Sequence, residues 1–421
     1  MPEWLSRPGP GLDPLTALAR VADAETLVCL HGGPGGWTHL AWQSASCGQT
    51  NEHQDLAGLA EAAARHGQRV AGPDLPGTGW GPCGAGGFIV QLDHEWPAQP
   101  PGIFALTTLV SWDPHGACTI SAVDASLIDD VREDIARPAS PLSAPRLAGP
   151  LVPAWDEAGH RQRVAALQEA IAAGAIYQAN LTLPFSATLA PGRTREAGLF
   201  AALVRASPAP YAALIRLPGR PTVVSHSPEG FLAWRGQQVV SSPIKGTRRR
   251  IPGRDAEVRA DLLASPKERA ELAMIVDLVR HDLGRTAQPG SVQVTEPAAL
   301  IDLPYVHHLA ARITARTSAD PAAVIRAAFP PGSVTGCPKQ MALELIARHE
   351  AGPRGAYCGA FGWIGPHAGE LAVAIRTAVI DGDVIRLHAG GGITADSDGA
   401  AEWDEAWAKL AGLRAALEGE P

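Results

Sequence analysis

The 421-residue sequence contains no run of eighteen apolar residues, so no membrane-spanning helix is expected. It has no basic start followed by an apolar stretch. The opening MPEWLSRPGPGLDP therefore reads as no secretory signal, and a cytoplasmic location is expected. Positive charge is not in excess: 35 Lys and Arg face 43 Asp and Glu, a formal charge of −8. A nucleic-acid binder draws its affinity from a basic surface, so the RRR at 248–250 is poor support for that role. The six cysteines (29, 47, 83, 118, 337 and 358) form no C-x-x-C pair and no Cys/His metal spacing, which leaves reduced, buried thiols as the expectation. There is no internal repeat and no low-complexity tract.

What is present suits a large soluble core: 46% of residues are hydrophobic and 19% charged. The length allows two or three domains, or one unusually large one. Residues 1–136 read as short strands and turns with two helical pieces, one of them DLAGLAEAAARHG at 55–67, stopped by Gly67. The segment 137–153 carries five prolines and reads as a linker or surface crossing with no regular element. Beyond it the texture changes. EAGHRQRVAALQEAIAAG is helical and ends at Gly174. AIYQANLTLPFSATL alternates, with Tyr177, Ala179, Leu181 and Leu183 on one face and Gln178, Asn180 and Thr182 on the other. PTVVSHSPEGFLAW and QQVVSSPIKG read as strands paired across an RG turn. Helices are expected at 265–284 and 397–418, and strands at 356–364, 370–380 and 384–389. Strands and helices mix without regular β-α alternation, so the class is α+β.

Both of those helices carry carboxylates in unexpected places. SPKERAELAMIVDLVRHDLG opens with Ser265 as N-cap, Pro266 at the first position and Glu268 three residues on, a capping box, and Gly284 is placed to close it. Its apolar stripe is Leu272, Ile275, Val276, Val279 and Leu283. At 100° per residue Glu268 and Glu271 lie on or beside that stripe. Capping accounts for Glu268 but not for Glu271. In SDGAAEWDEAWAKLAGLRAAL, Glu402, Glu405 and Lys409 share a face beside the apolar Trp403, Trp407, Leu410 and Leu417. Taken alone, this is a solvated face with a Glu405–Lys409 i, i+4 pair worth about 0.3–0.5 kcal/mol. If the two Glu-x-x-Glu pairs converge, the four carboxylates need protons or a cation between them. All-oxygen ligation suits Mg²⁺.

SSPIKGTRRR (241–250) places Lys245 in a tight turn after a strand. It reads as a solvated turn, an anion contact or the seat of a lysine nucleophile. LVCLHGGPGG (27–36) and VAGPDLPGTGWG (70–81) imitate the oxyanion-hole region of an α/β-hydrolase. That chemistry requires a G-x-S-x-G elbow, which the sequence lacks, so a glycine-rich turn is the better reading.

From about residue 154 to 418 the chain resembles the chorismate-utilising enzymes. IYQANLT, SHSPEGFL, PIKGTRRR, ERAELAMIVDLVRHDLGR, YVHHL, PPGSVTGCPKQMALELI, RGAYCGAFGWI, AIRTAVI and AGGGITADSD…AEWDEAWAKL occur in family order. The resemblance implies one large two-sheet antiparallel β-sandwich flanked by helices, of the anthranilate synthase component I type, with 1–136 part of the same sandwich and 154–421 the chorismate-binding region. It implies Mg²⁺ held by Glu271 and Glu405, with Glu268 and Glu402 reaching it directly or through water. It sets the substrate carboxylates against Tyr357, Arg376, Lys409 and the backbone of Gly390, Gly391 and Gly392, with Thr335 and Gly336 lining the site and His308 near the reacting ring. His308 also reads as a core histidine satisfied by backbone.

The residue after PI separates subgroups. PIAGTR is usual in anthranilate synthases, and PIKGT is similar to the aminodeoxychorismate synthases, in which the lysine amine attacks C2 of chorismate before ammonia enters at C4. Glu229 is then the general acid for the departing hydroxyl. Gln178 stands where isochorismate and salicylate synthases place a lysine base, which favours ammonia over water. Ammonia is expected from a separate glutamine amidotransferase subunit, since none is fused within this sequence. An anthranilate synthase is the alternative, and a hydrolase or non-catalytic protein a remote one. His281 and Gly230 depart from the family's usual asparagine and arginine, and no LLES-type tryptophan-binding element is present.

Overall fold

The computed structural model describes residues 5–33, 36–43, 56, 87–139, 141–303, 306–365 and 367–418. The helix expected at 55–67 lies outside them apart from Leu56, as do segment 70–81, Cys47 and Cys83.

Many strands of this chain are apolar on both faces: Thr26–His31 (TLVCLH), Tyr211–Arg216 (YAALIR) and Ala360–Ile364 (AFGWI) have hardly a polar side chain between them. A strand of that kind must be covered on both sides. The structure meets this with four layers. A 12-stranded sheet and a 9-stranded sheet, antiparallel at every described pairing, pack face to face. Val28, Leu30, Ala213 and Ile215 of the larger sheet meet Ile89, Phe361, Trp363 and Ala372 of the smaller one in the middle. The alternate residues Leu27, Cys29, Ala212 and Leu214 point outwards under the helices Pro14–Val21, Ala125–Ala136 and Arg195–Ala206. On the far side, Leu309, Ile313, Leu371 and Val373 lie under Asp255–Ala264, Pro266–Gly284 and Pro321–Ala328. The fold is thus the α+β sandwich the resemblance implied.

Strands from the first third enter both sheets: Thr26–His31 pairs with Tyr211–Arg216, and Phe88–Leu92 pairs with Ala360–Ile364. Thr26–His31 pairs antiparallel with Thr38–Gln43, and the Gly32 N–H donates to the Trp37 carbonyl at 2.8 Å. The proline-rich 137–153 segment ends in a two-residue strand, Val152–Pro153, paired with Gln178–Thr188.

Several expected elements are corrected. The strand read at 221–234 is two strands: Thr222–Ser227 belongs to the larger sheet and Gly230–Arg235 to the smaller. The 370–380 strand likewise divides into Ala368–Val373 and Thr377–Asp381, again in different sheets. Both crossings are corners of the sandwich, where the chain leaves one layer for the other. The 356–364 strand is confined to Ala360–Ile364, while the last strand runs on to Ile393. The final helix is broken at Leu410 into Gly399–Lys409 and Ala411–Glu418, so that Leu410, Leu413 and Leu417 are buried. Gly284 ends its helix as a right-handed residue followed by Arg285 at φ −65°, rather than as a left-handed cap. Tyr177 is 69% exposed and does not share the buried face of Ala179, Leu181 and Leu183. The free thiols of Cys29 and Cys358 are buried, but those of Cys118 and Cys337 are half-buried. No helix among the described residues is long and apolar enough to cross a membrane.

Gly369 lies directly across from Trp234, and a Cβ there would stand 2.1 Å from the indole. Gly369→Ala is expected to overpack this layer at a cost of about 1–3 kcal/mol. The readout is a lower thermal unfolding midpoint, partly restored by adding Trp234→Phe.

Candidate active site

The two sheet crossings meet. The first, Ser227–Pro228–Glu229–Gly230, presents the Glu229 side chain, and the second, Ala374–Ile375–Arg376, presents Arg376. The Val373 N–H donates to the Glu229 carbonyl and the His226 N–H to the Arg376 carbonyl, both at 3.0 Å. Arg376 takes a left-handed backbone at φ 49°, and so does Cys358 at φ 61°. Such conformations cost a non-glycine residue about 1–3 kcal/mol and gather at functional sites. The N–H of Cys358 donates to Ala374 at 2.8 Å, so the turn carrying Tyr357 is fastened to the second crossing.

Lys245 is not in a turn, as its sequence context suggested. It lies in the strand Ile244–Arg249, opposite Leu309, with a bulge before Thr247 that Gly246 makes at φ 78°. Its Nζ points to the carbonyl of Ser333 at 3.3 Å. Burial pushes its pKa down, opposed by the carboxylates of Glu271, Glu229 and Glu405. Glu229 is 4% exposed, and burial raises its carboxyl to about 7, against the pull of a Ser333 hydrogen bond and the Lys245 charge. A lysine with a lowered pKa and a carboxyl with a raised one thus share one interior, the pattern expected of an acid–base pair. Ser333 links them and has no signal in the sequence beyond its place in PPGSVTG. Glu229 and Ser333 also line a pocket with Ser241, Asp282 and Gly332.

The acidic helices converge. Each carboxylate feels the next in the series Glu268, Glu271, Glu405, Glu402, so the like charges run from Pro266–Gly284 across to Gly399–Lys409. Burial, helped by these neighbours, raises the pKa of Glu271 and of Glu402. Burial pushes Glu405 up, but Lys409, 2.6 Å away, together with Lys267 and Lys245, brings it down. Among the described residues no three carboxylate, imidazole or thiol groups are gathered into a ready metal centre. Cations lie between the acids instead: Arg248 on Glu268 at 2.9 Å, Lys267 on Glu271 at 4.0 Å and Lys409 on Glu405. Half-exposed pairs such as Lys409–Glu405 are worth about 0–1 kcal/mol and open readily. The donor set is all oxygen, and among the described residues Glu402 has no ion pair, which fits a hard cation. Gly391 keeps the space clear: a Cβ there would stand 2.9 Å from Glu402 Oε2 and 3.3 Å from Glu405 Oε1.

The other expected residues fall around this cleft. Gly390, Gly391 and Gly392 pair with Thr182, Leu181 and Asn180, and the Gly390 carbonyl accepts from Lys409 at 2.6 Å. Gly336 pairs with Ala179, and the Thr335 carbonyl accepts from the Asn180 N–H at 2.6 Å. Gln178 is buried beside Gly392, with its Oε1 unpartnered. Tyr357 is buried edge-on against His388, and burial raises its phenol well above 10, so it stays a donor. His308 is 1% exposed; its Nδ1 meets the Thr247 hydroxyl at 2.8 Å, and burial lowers its pKa to about 4. Burial lowers the Arg376 pKa, and no carboxylate among the described residues pairs with its guanidinium. A half-buried cation without an anion is readily stabilised by a ligand that supplies one. Gly230 is explained by Tyr211, whose hydroxyl lies 2.6 Å from where a Cβ would be.

The model of the chorismate binding enzymes matches residues 49–415. The chain belongs to that family. Over 250 residues it is 43% identical to aminodeoxychorismate synthase component 1 of Klebsiella aerogenes, covering 58% of this chain and 54% of that protein. It is 41% identical over 233 residues to anthranilate synthase component 1 of Haloferax volcanii, covering 53% of this chain and 44% of that one. The chain spans about half the length of these curated relatives. Among solved structures, the menaquinone-specific isochorismate synthase of Escherichia coli superimposes with a TM-score of 0.80 at 23% identity, over 99% of this chain and 94% of that one, which shows the shared fold.

Glu229 gives this family member a pH signature. Its carboxyl is raised from 4.5 to about 7, so the folded protein holds a proton that the unfolded chain releases. The stability this contributes is complete below 4.5 and lost as pH rises through 7. Thermal midpoints of Glu229→Gln, which cannot ionise, are expected to fall less across that window than those of the unmodified protein. Parallel curves would contradict the assignment.

Proposed function

We propose that this protein is the synthase component that converts chorismate and ammonia into 4-amino-4-deoxychorismate. The observation that carries the reading is Lys245, a half-buried lysine on the Ser333 carbonyl, close to Glu229 with its carboxyl raised to about 7. Chorismate is a small dicarboxylate, and Arg376, Lys409, the Tyr357 hydroxyl and the backbone of 390–392, with Thr335 and Gly336, offer the charges and donors to receive it. Arg376 is the strongest of these, being desolvated and without a competing carboxylate.

The chemistry follows from what each side chain can do. Lys245, once neutral, bonds to C2; the ring double bonds shift, and the C4–O bond breaks. Glu229 gives its proton to the departing hydroxyl, which leaves as water. Ammonia then bonds to C4, the C2–N bond breaks, and Lys245 is free again. Gln178 has no basic nitrogen with which to activate water, which supports ammonia as the nucleophile. His308, neutral at pH 7, serves as a polar neighbour of the ring. Glu268, Glu271, Glu402 and Glu405 would hold Mg²⁺, which when bound supplies countercharge to a substrate carboxylate. The ammonia would come from a separate glutamine amidotransferase, the partner that the family resemblance implies. We also read residues 1–136 as part of the catalytic body, supported by the pairing of Thr26–His31 and Phe88–Leu92 into the two sheets.

Incubation with chorismate, Mg²⁺ and ammonium is expected to yield a product mass for aminodeoxychorismate, with the pyruvate group retained. Lys245→Ala should abolish turnover, and Glu229→Gln should slow it about 10²–10⁴-fold. Fluorescent anthranilate with release of pyruvate would assign the protein to the anthranilate synthases instead.

A further inference from the structure

One buried ion pair lies outside every role assigned above. Arg354 and Glu350 meet at 2.6 Å with side chains only 2% and 3% exposed. Pairs buried this deeply rarely stabilise a fold more than apolar packing does, so their retention calls for another reason. The partners supply it. From the Arg354 fork, Nη1 donates to the carbonyl of Val334 at 2.8 Å and Nη2 to that of Asn180 at 2.7 Å. Nε and Nη2 also grip Glu350 at 2.8 and 2.6 Å. Glu350 Oε1 in turn accepts from the Thr182 N–H at 2.8 Å.

These backbone groups are the walls of the cleft. Val334 leads into Thr335 and Gly336, while Asn180 and Thr182 are the strand partners of Gly392 and Gly390. A second carboxylate joins from the first part of the chain. Glu95, in the loop after Phe88–Leu92, accepts from the N–H of Arg354 at 2.8 Å and of Gly355 at 3.2 Å. It thereby fixes the start of the turn that carries Tyr357. His94 lies 3.4 Å from the same guanidinium.

We propose that Arg354, Glu350 and Glu95 are positioning residues for the substrate-binding wall, and that the N-terminal region serves the site through Glu95. They act through backbone and not by touching substrate. The inference rests on the reading of this cleft as a chorismate site. The planar fork matters to it, because Nε, Nη1 and Nη2 reach partners in three fixed directions, a geometry that a single lysine Nζ does not reproduce.

The test compares Arg354→Lys, Glu95→Ala and Glu95→Gln in the full chain. It measures chorismate binding by calorimetry, KM and kcat with ammonium, and the unfolding midpoint. Arg354→Lys and Glu95→Ala are expected to weaken chorismate binding and raise KM about tenfold, with kcat changed far less. Glu95→Gln, which keeps an acceptor oxygen, should recover part of the loss. Glu95 is 26% exposed at its side chain, so its variants decide the matter if Arg354→Lys does not fold. Lower midpoints with unchanged chorismate affinity in the folded variants would reduce the cluster to a structural role and overturn the inference. Failure of the unmodified protein to bind chorismate would overturn the reading beneath it, and the inference with it.

Discussion

Two hydrogen bonds between crossing points, Val373 to Glu229 and His226 to Arg376, are the constraint on which the site depends. Each closes a corner where the chain passes from one sheet to the other. Because both corners lie together, a carboxyl and a guanidinium from positions 147 residues apart in the chain enter the same interior. The left-handed backbone at Arg376 and Cys358 is the local cost of that geometry, offset by the packing of two extended sheets.

Burial then tunes the groups in opposite directions. It raises Glu229, Glu271 and Glu402 and lowers Lys245 and Arg376. A carboxyl that keeps its proton and an amine more easily freed of its own are what nucleophilic attack with departure of a hydroxyl requires. The same physics governs the acidic helices. Four carboxylates approach one another, and lysines and an arginine stand between them where a divalent cation would otherwise balance the charge. The exposed members of this set are weakly paired and easily rearranged, whereas Glu350 and Arg354 are locked. The site therefore joins a pliable, cation-responsive side to a rigid, hydrogen-bonded wall.

Much of this was legible in the residues. The N-cap at Ser265, the stripe through Leu272, Ile275, Val279 and Leu283, and the misplaced Glu271 all appear where periodicity puts them, although the Glu268 carboxylate turns to Arg248 and does not close the capping box. Local rules failed at the corners. SHSPEGFL and VAIRTAV read as continuous strands: VAIRTAV carries no glycine or proline at its crossing, and in SHSPEGFL Pro228 and Gly230 lie within an otherwise strand-like run. Leu410 interrupts its helix without any breaker residue. Tyr177 fits the alternation of its strand but lies just before the strand begins, where no helix covers it.

The order of short motifs carried the resemblance to the family, and the lysine in PIKGT took its role as an amine nucleophile from that resemblance; spacing along the helices showed only that Glu271, and Glu402 with Glu405, share a face with or lie beside apolar residues. They could not show that the two acidic helices converge, that Ser333 links Lys245 to Glu229, or that Glu95 from the first hundred residues braces the turn bearing Tyr357. Those are contacts between segments far apart in the chain. Only the stacking of two sheets, and the places where the backbone changes from one to the other, decided which distant charges share a low-dielectric cleft.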